Sequence, residues 1–232
     1  MAKTDDLKIS NYFSSPIYHI EIPEWVKRID KICDKYIKEA EKRNKPVIKE
    51  REKRYKKKIG DLNMSHHSGS LIGDPSLTEF KDYIANTSIN ILNNFGYDLS
   101  NYEIFWTELW VQEFSKKGGG HHLGHIHYDN HISGFYFLKC SDKTGVPYFN
   151  DPRIAKTMND LPVKDQGNIS MATPLVHYKP KPGSMIFFPA YLNHGFSVDD
   201  GIDDYRFIHF NLQAVRKTII YSGRSKSELE KK

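Results

Sequence analysis

Cysteine is scarce in this chain: two residues in 232, Cys33 and Cys140, far apart and without C-x-x-C spacing. They offer no disulfide framework to read; each follows an apolar pattern and is expected as a buried thiol, in keeping with a reducing compartment. The opening MAKTDDLKIS lacks the apolar stretch of a secretory leader. No run approaches the length of a membrane span, and no internal repeat is found. The expected setting is the cytoplasm, or the host cytoplasm if the chain is phage-encoded.

Hydrophobic residues make up 38% and aromatics 13%, so a core is affordable and its aromatic weight leans towards strands. The net charge of +5 is modest, but it is unevenly spread. Between Lys42 and Lys58 there are ten cationic side chains, opposed only by Glu50 and Glu52. A solvated helix face explains such a run. Contact with nucleic acid or another acidic partner is the alternative, although only Tyr55 interleaves an aromatic ring.

A strand is expected between Tyr12 and Ile22. Trp25, Val26, Ile29, Ile32, Cys33, Tyr36 and Ile37 then recur at helical spacing, predicting a helix from Pro23 to Arg43 that Pro46 ends. Ser76 and Glu79 have capping-box spacing at the start of a second helix, and Gly96 suits its left-handed stop. Beyond Gly96 the texture turns to short aromatic runs. Strands are predicted near Tyr102–Phe114, His121–His127, Ile132–Cys140, Pro147–Asn150, Leu175–Tyr178, Ser184–Phe188 and Tyr205–Ala214. The fold class is α+β, mainly β. One domain is expected over 1–232: a helical part over 1–100 with its basic segment 42–58, a β core over 101–215, and a polar tail over 216–232.

Five histidines crowd the stretch from His121 to His131. Histidine-rich segments are not diagnostic by themselves. His125 and His127 are two apart, however, so both face one side of a strand. His127 and Asp129 share that spacing. A further His194 follows the apolar run Met185–Phe188 and Pro189. Such a set points to a metal site within a small barrel, with iron the first-row metal that keeps open positions for substrate and oxygen. Either His125, His127 and His194, or His127, Asp129 and His194, make up the ligands.

The run from Gly118 through His125-Ile-His127 to Ser133-Gly134-Phe-Tyr-Phe-Leu138 resembles the glycine-led segment of the 2-oxoglutarate/Fe(II)-dependent oxygenases of bacteria and phages, relatives of the prolyl hydroxylases. Four further stretches match in order: Tyr12 to Tyr18, Phe149 to Arg153, Pro182 to His194, and Arg206 to Leu212. The resemblance implies a double-stranded β-helix, a jelly-roll or cupin-like barrel, with the N-terminal helices packed on one face. It implies Fe(II), 2-oxoglutarate and O2, and hydroxylation of a peptidyl or amino-acid-like substrate with conversion of 2-oxoglutarate to succinate. The related hydroxylases carry Asp where His127 stands. Arg206, twelve residues after His194, is the expected grip for the distal carboxylate of 2-oxoglutarate. Its alternative is a salt bridge with the acidic loop Asp199–Asp204. Tyr136 is a candidate phenol donor to the cosubstrate, or a core aromatic.

Two other functions fit the same residues. One is a cupin-type metalloenzyme that ignores 2-oxoglutarate. The other is a non-catalytic barrel with a basic arm for nucleic acid. Asp142–Pro147 and Asp151–Pro174 are the candidate rim loops, the longer one a lid.

Overall fold

The computed structural model of the protein describes residues 8, 10 and 13–218. Tyr12 and the tail segment 219–232 therefore lie outside the described residues. Strand β1 covers Tyr18–Glu21, helix α1 Val26–Tyr55, β2 Ser65–His67 and helix α2 Thr78–Asn94. There follow β3 (Tyr102–Phe114), β4 (Gly120–His125), β5 (Ile132–Lys139), β6 (Pro147–Asn150), β7 (Leu175–His177), β8 (Ser184–Pro189), β9 (His194–Asp199) and β10 (Arg206–Arg216). Six strands form one antiparallel sheet in the order β1-β8-β5-β10-β3-β2, and four form another in the order β4-β9-β6-β7. The two sheets make a double-stranded β-helix. No described helix is long and apolar enough to cross a membrane.

Strand alternation divides the large sheet's side chains between two cores. Ile208 and Phe210 of β10, with Tyr136 and Leu138 of β5, face the helices and meet Ile29, Cys33 and Ile37 of α1 and Phe80 and Ile84 of α2. Phe207, Phe135 and Phe137 face the other way and meet Phe149 and Phe196 of the small sheet. The inner core is almost wholly aromatic, with Phe196 stacked on Phe207 at 4.5 Å between ring centres.

The Ser133-Gly134 pair shows how the two faces are used. Ser133 points inward and donates to the Asn211 side chain. Gly134 faces outward, where a Cβ would come within 2.2 Å of the Phe210 ring and 2.3 Å of the Ile186 carbonyl. Only glycine fits between those neighbours.

Two expectations about the helices need correction. Helix α1 does not end at Pro46 but runs on to Tyr55, with Lys56 in the left-handed region stopping it. An internal proline removes a backbone donor and costs about 3 kcal/mol. Side-chain ties to the returning segment offset this: Asn44 donates to the Ser65 carbonyl, Arg51 to the Leu62 carbonyl, and Gly60 N–H to Glu52. Asp74, rather than Ser76, is the cap: it closes the single 3-10 turn Pro75–Leu77 that leads into α2. The Asp74 carboxylate accepts from the backbone and hydroxyl of Ser76, and from Lys35 and Tyr36 of α1. Glu79 does not reach back to close a capping box; it pairs with Arg28 at 2.6 Å.

Candidate metal centre

Two strand ends converge between the sheets. His125 closes β4 and pairs directly with His194, the first residue of β9. His127 lies two residues past β4, its backbone N–H held by the Ala190 carbonyl. Ligand nitrogens of His125, His127 and His194 all fall within 4.8 Å of one another. Asp129 is exposed, in the left-handed region at φ 60°, and does not join that group.

Each ring is oriented from its far side. His125 Nδ1 and His194 Nδ1 each lie 2.8 Å from a carbonyl oxygen, that of Leu123 and Leu192 respectively, so Nδ1–H donates and Nε2 is left bare. His194 is fully buried and its Nε2 has no partner, nor has Nε2 of His127. Orphaned buried nitrogens that face one another are the signature of a ligand set rather than of a satisfied core. Burial pushes His194 down to about 2. Burial, then His209 and His125, push His127 down to about 3. Neutral imidazole is the form that binds metal. Against the rings of His125 and His194 lies a cavity of about 20 Å³, room for one ion- or water-sized occupant. The three imidazoles fit a first-row divalent metal.

Behind His127 stands a polar hub that sequence reasoning missed. Asn211, wholly buried on β10, accepts from Ser133, donates to Glu108 at 2.8 Å, and sets its amide 2.9 Å from His127 Nδ1. Glu108 also lies 3.4 Å from His209 Nε2. That contact is electrostatic rather than a formed hydrogen bond, since neither nitrogen of the buried His209 has a partner. The His209 ring nevertheless draws the Glu108 carboxyl down to about 2. Glu108, His127 and His209 form a second group of ligand atoms within 4.8 Å. The signal available in the sequence was parity: Asn211, His209 and Phe207 share one face of a strand. Replacing Asn211 with leucine is expected to lower metal affinity by about 10- to 100-fold, the usual loss when a ligand's support is removed. Calorimetric titration with Mn(II) measures it, and an unchanged affinity would show that the hub does not position His127.

The same parity overturns the reading of Arg206. Its side chain faces α1, away from the imidazoles. Nε donates to Glu113 at 2.6 Å, and Nη1 donates to Asp30 at 2.6 Å and to Asp34 at 2.8 Å. Three carboxylates occupy the guanidinium, so it is not available to a cosubstrate. The acidic loop Asp199–Asp204 is not its partner either. Tyr136 is likewise turned to the helix side, where its hydroxyl donates to the Ile22 carbonyl at 2.7 Å. Among the described residues no lysine or arginine lines the small cavity beside the imidazoles. Besides Asn211 and Glu108 behind His127, the polar side chains that line the cavity at His125 and His194 are Trp110, His122, with Gln112 bound to it, and His209. The metal part of the implied chemistry therefore fits these residues, while Arg206 and Tyr136, the two side chains expected to hold 2-oxoglutarate, are engaged on the other face of the sheet.

Residues 108–211 match the family model described as "Putative 2OG-Fe(II) oxygenase". No curated protein matches the chain. Among solved structures, a truncated form of the viral collagen prolyl hydroxylase of Paramecium bursaria Chlorella virus-1 is similar at 14% identity and TM-score 0.49, covering 93% of this chain and 100% of that one. A Pseudomonas putida prolyl-4-hydroxylase is similar at 8% identity and TM-score 0.49, covering 86% and 94%. A Burkholderia pseudomallei oxidoreductase of the 2OG-Fe(II) oxygenase family is similar at 15% identity and TM-score 0.38; there the match covers 62% of this chain and only 54% of the other. At such identities and scores the likenesses assign neither substrate nor residues. Over residues 108–211, rather less than half of the chain, the sequence is thus similar to the 2OG-Fe(II) oxygenases, the family whose description names Fe(II) and 2-oxoglutarate.

Proposed function

We propose that this protein is a hydroxylase in which His125, His127 and His194 hold Fe(II). The observation that carries the reading is the convergence of three imidazoles, two of them with buried nitrogens that nothing else satisfies. Bound iron with 2-oxoglutarate supplies the oxidising power for inserting oxygen into a C–H bond. The protein's own part is orientation and exclusion of water. Leu123 and Leu192 carbonyls set two rings, and Asn211 sets the third. Phe135, Phe149 and Phe188 pack around His194 and keep that side of the site dry.

The substrate reading is a peptidyl or amino-acid side chain. It is supported by the connection between β6 and β7, which exposes Ile154, Met158, Leu161, Ile169 and Met171. Exposed apolar side chains on one rim connection suit a macromolecular partner better than a free metabolite. In an anaerobic titration, Fe(II) plus 2-oxoglutarate should produce a weak visible charge-transfer band. Admission of oxygen should then yield succinate. No band and no succinate would refute the proposal.

A further inference from the structure

We propose that helix α1 carries a docking surface for the phosphate backbone of a nucleic acid. The feature is a stripe of lysines. Starting at Lys31, steps of four and three residues reach Lys35, Lys38, Lys42, Lys45, Lys49, Lys53 and Lys56. Every position on that path is lysine and every one is exposed. Residues three and four apart lie above one another on a helix, so the path is one straight row of charge about 37 Å long.

The row lies opposite the face that packs. Ile29, Cys33, Ile37 and Ala40 are the buried residues of α1. Lys31, Lys35 and Lys42 sit two residues beyond Ile29, Cys33 and Ala40, about 200° round the helix. No acidic residue interrupts the row. Only Lys35 has an ion-pair partner among the described residues, Asp74 at 2.8 Å. Beyond Ala40, α1 buries no further residue, yet it runs on for about two and a half more turns past Pro46. The segment from Lys42 to Lys58 carries a net charge of +8 against +5 for the whole chain. The remainder of the protein is thus slightly acidic, and the cationic field is local to this helix and its exit.

Like charges at this spacing oppose helix formation, so a merely soluble face is better served by mixed signs. Lysine ammonium groups are mobile point charges suited to phosphate oxygens, without the forked geometry that reads base edges. Contact is therefore expected to be sequence-independent. A membrane surface is the other polyanion, but an interfacial helix needs a wide free apolar face, and the apolar face of α1 is already in the core.

The test is fluorescence anisotropy of full-length protein with a labelled DNA duplex of about 20 base pairs and with single-stranded RNA of equal length, across a salt series. Neutralising six or seven phosphates predicts a slope of log K against log salt of roughly −4 to −6. Lys42, Lys45, Lys49 and Lys53 changed together to glutamine should weaken binding at least about 100-fold at low salt and flatten the slope by roughly three to four. A charge-matched control changes Lys143, Lys164, Lys179 and Lys181 to glutamine and should retain the wild-type slope. Circular dichroism checks that α1 survives in both. No binding to either nucleic acid at low salt overturns the proposal. So does an equal loss in the control, or binding to vesicles rich in phosphatidylserine without binding to nucleic acid. None of these outcomes depends on the metal centre.

Discussion

Changing His194 to glutamine should leave a folded protein that no longer retains iron and no longer forms succinate. The substitution keeps a polar side chain of similar bulk among Phe135, Phe149 and Phe188, so the cavity penalty of an alanine is avoided. It removes the bare Nε2 that the Leu192 carbonyl aims between the sheets. Loss of a supporting residue lowers metal affinity by about 10- to 100-fold, and loss of a ligand should exceed that range. Metal content after gel filtration and succinate release measure the two effects separately. Asp129→Asn is the contrasting variant. Its side chain stands exposed outside the imidazole group, and both quantities should stay at wild-type values. If Asp129→Asn loses iron, or His194→Gln keeps it, the ligand set is wrong.

The second large effect is on stability. Changing Arg206 to methionine should destabilise the fold by about 3 kcal/mol, because Glu113 is left nearly dry without its guanidinium. The figure sits at the low end for a broken buried pair. Asp30 and Asp34 are open to solvent, and Lys139 lies 3.7 Å from Asp30 and 4.0 Å from Glu113, where it compensates in part. For a chain of this size the melting temperature should fall by roughly 6–12 °C. The deficit depends on pH in a defined direction. Hydrogen bonding to Arg206 holds the Asp34 carboxyl below its ordinary range. A carboxyl lowered in the folded state adds stability above its unfolded value, about 3.9, and loses it as pH falls through the folded value. The gap between wild type and variant should accordingly narrow below about pH 4. Affinity for 2-oxoglutarate, corrected for the folded fraction, should not change. A selective loss of that affinity with stability intact would restore Arg206 to the site.

The strand core was largely legible because aromatic alternation and turn residues mark it; β3 and β6 have the boundaries expected. What escaped has physical reasons. β2 is only three residues long, and β9 reads His-Gly-Phe-Ser-Val-Asp, with small and polar residues where a strand pattern normally shows. Their pairing comes from neighbours: β9 lies between β4 and β6. Pro46 is a strong local signal to stop, yet Gly60, Leu62 and Ser65, beyond the helix in sequence, hold its Glu52, Arg51 and Asn44. Parity was enough to bring His125 and His127 to one side. Applied to Arg206, it sets that residue opposite Asn211, and spacing from His194 alone points the wrong way. Glu108 and Asn211 lie more than a hundred residues apart, so nothing local announces their hydrogen bond.

Strand β10 serves both cores at once. Its outward side holds the ion cluster against α1 and its inward side holds the hub behind His127. An ion bound only by the folded state adds to stability by mass action, about 2.7 kcal/mol at a hundredfold excess over Kd. That increment is close to the loss forecast for Arg206→Met. Substitutions along the helix-facing surface are therefore buffered while the ion is present and exposed when it is withdrawn. Iron supply would then govern how much sequence drift the whole domain tolerates, as well as how fast it turns over.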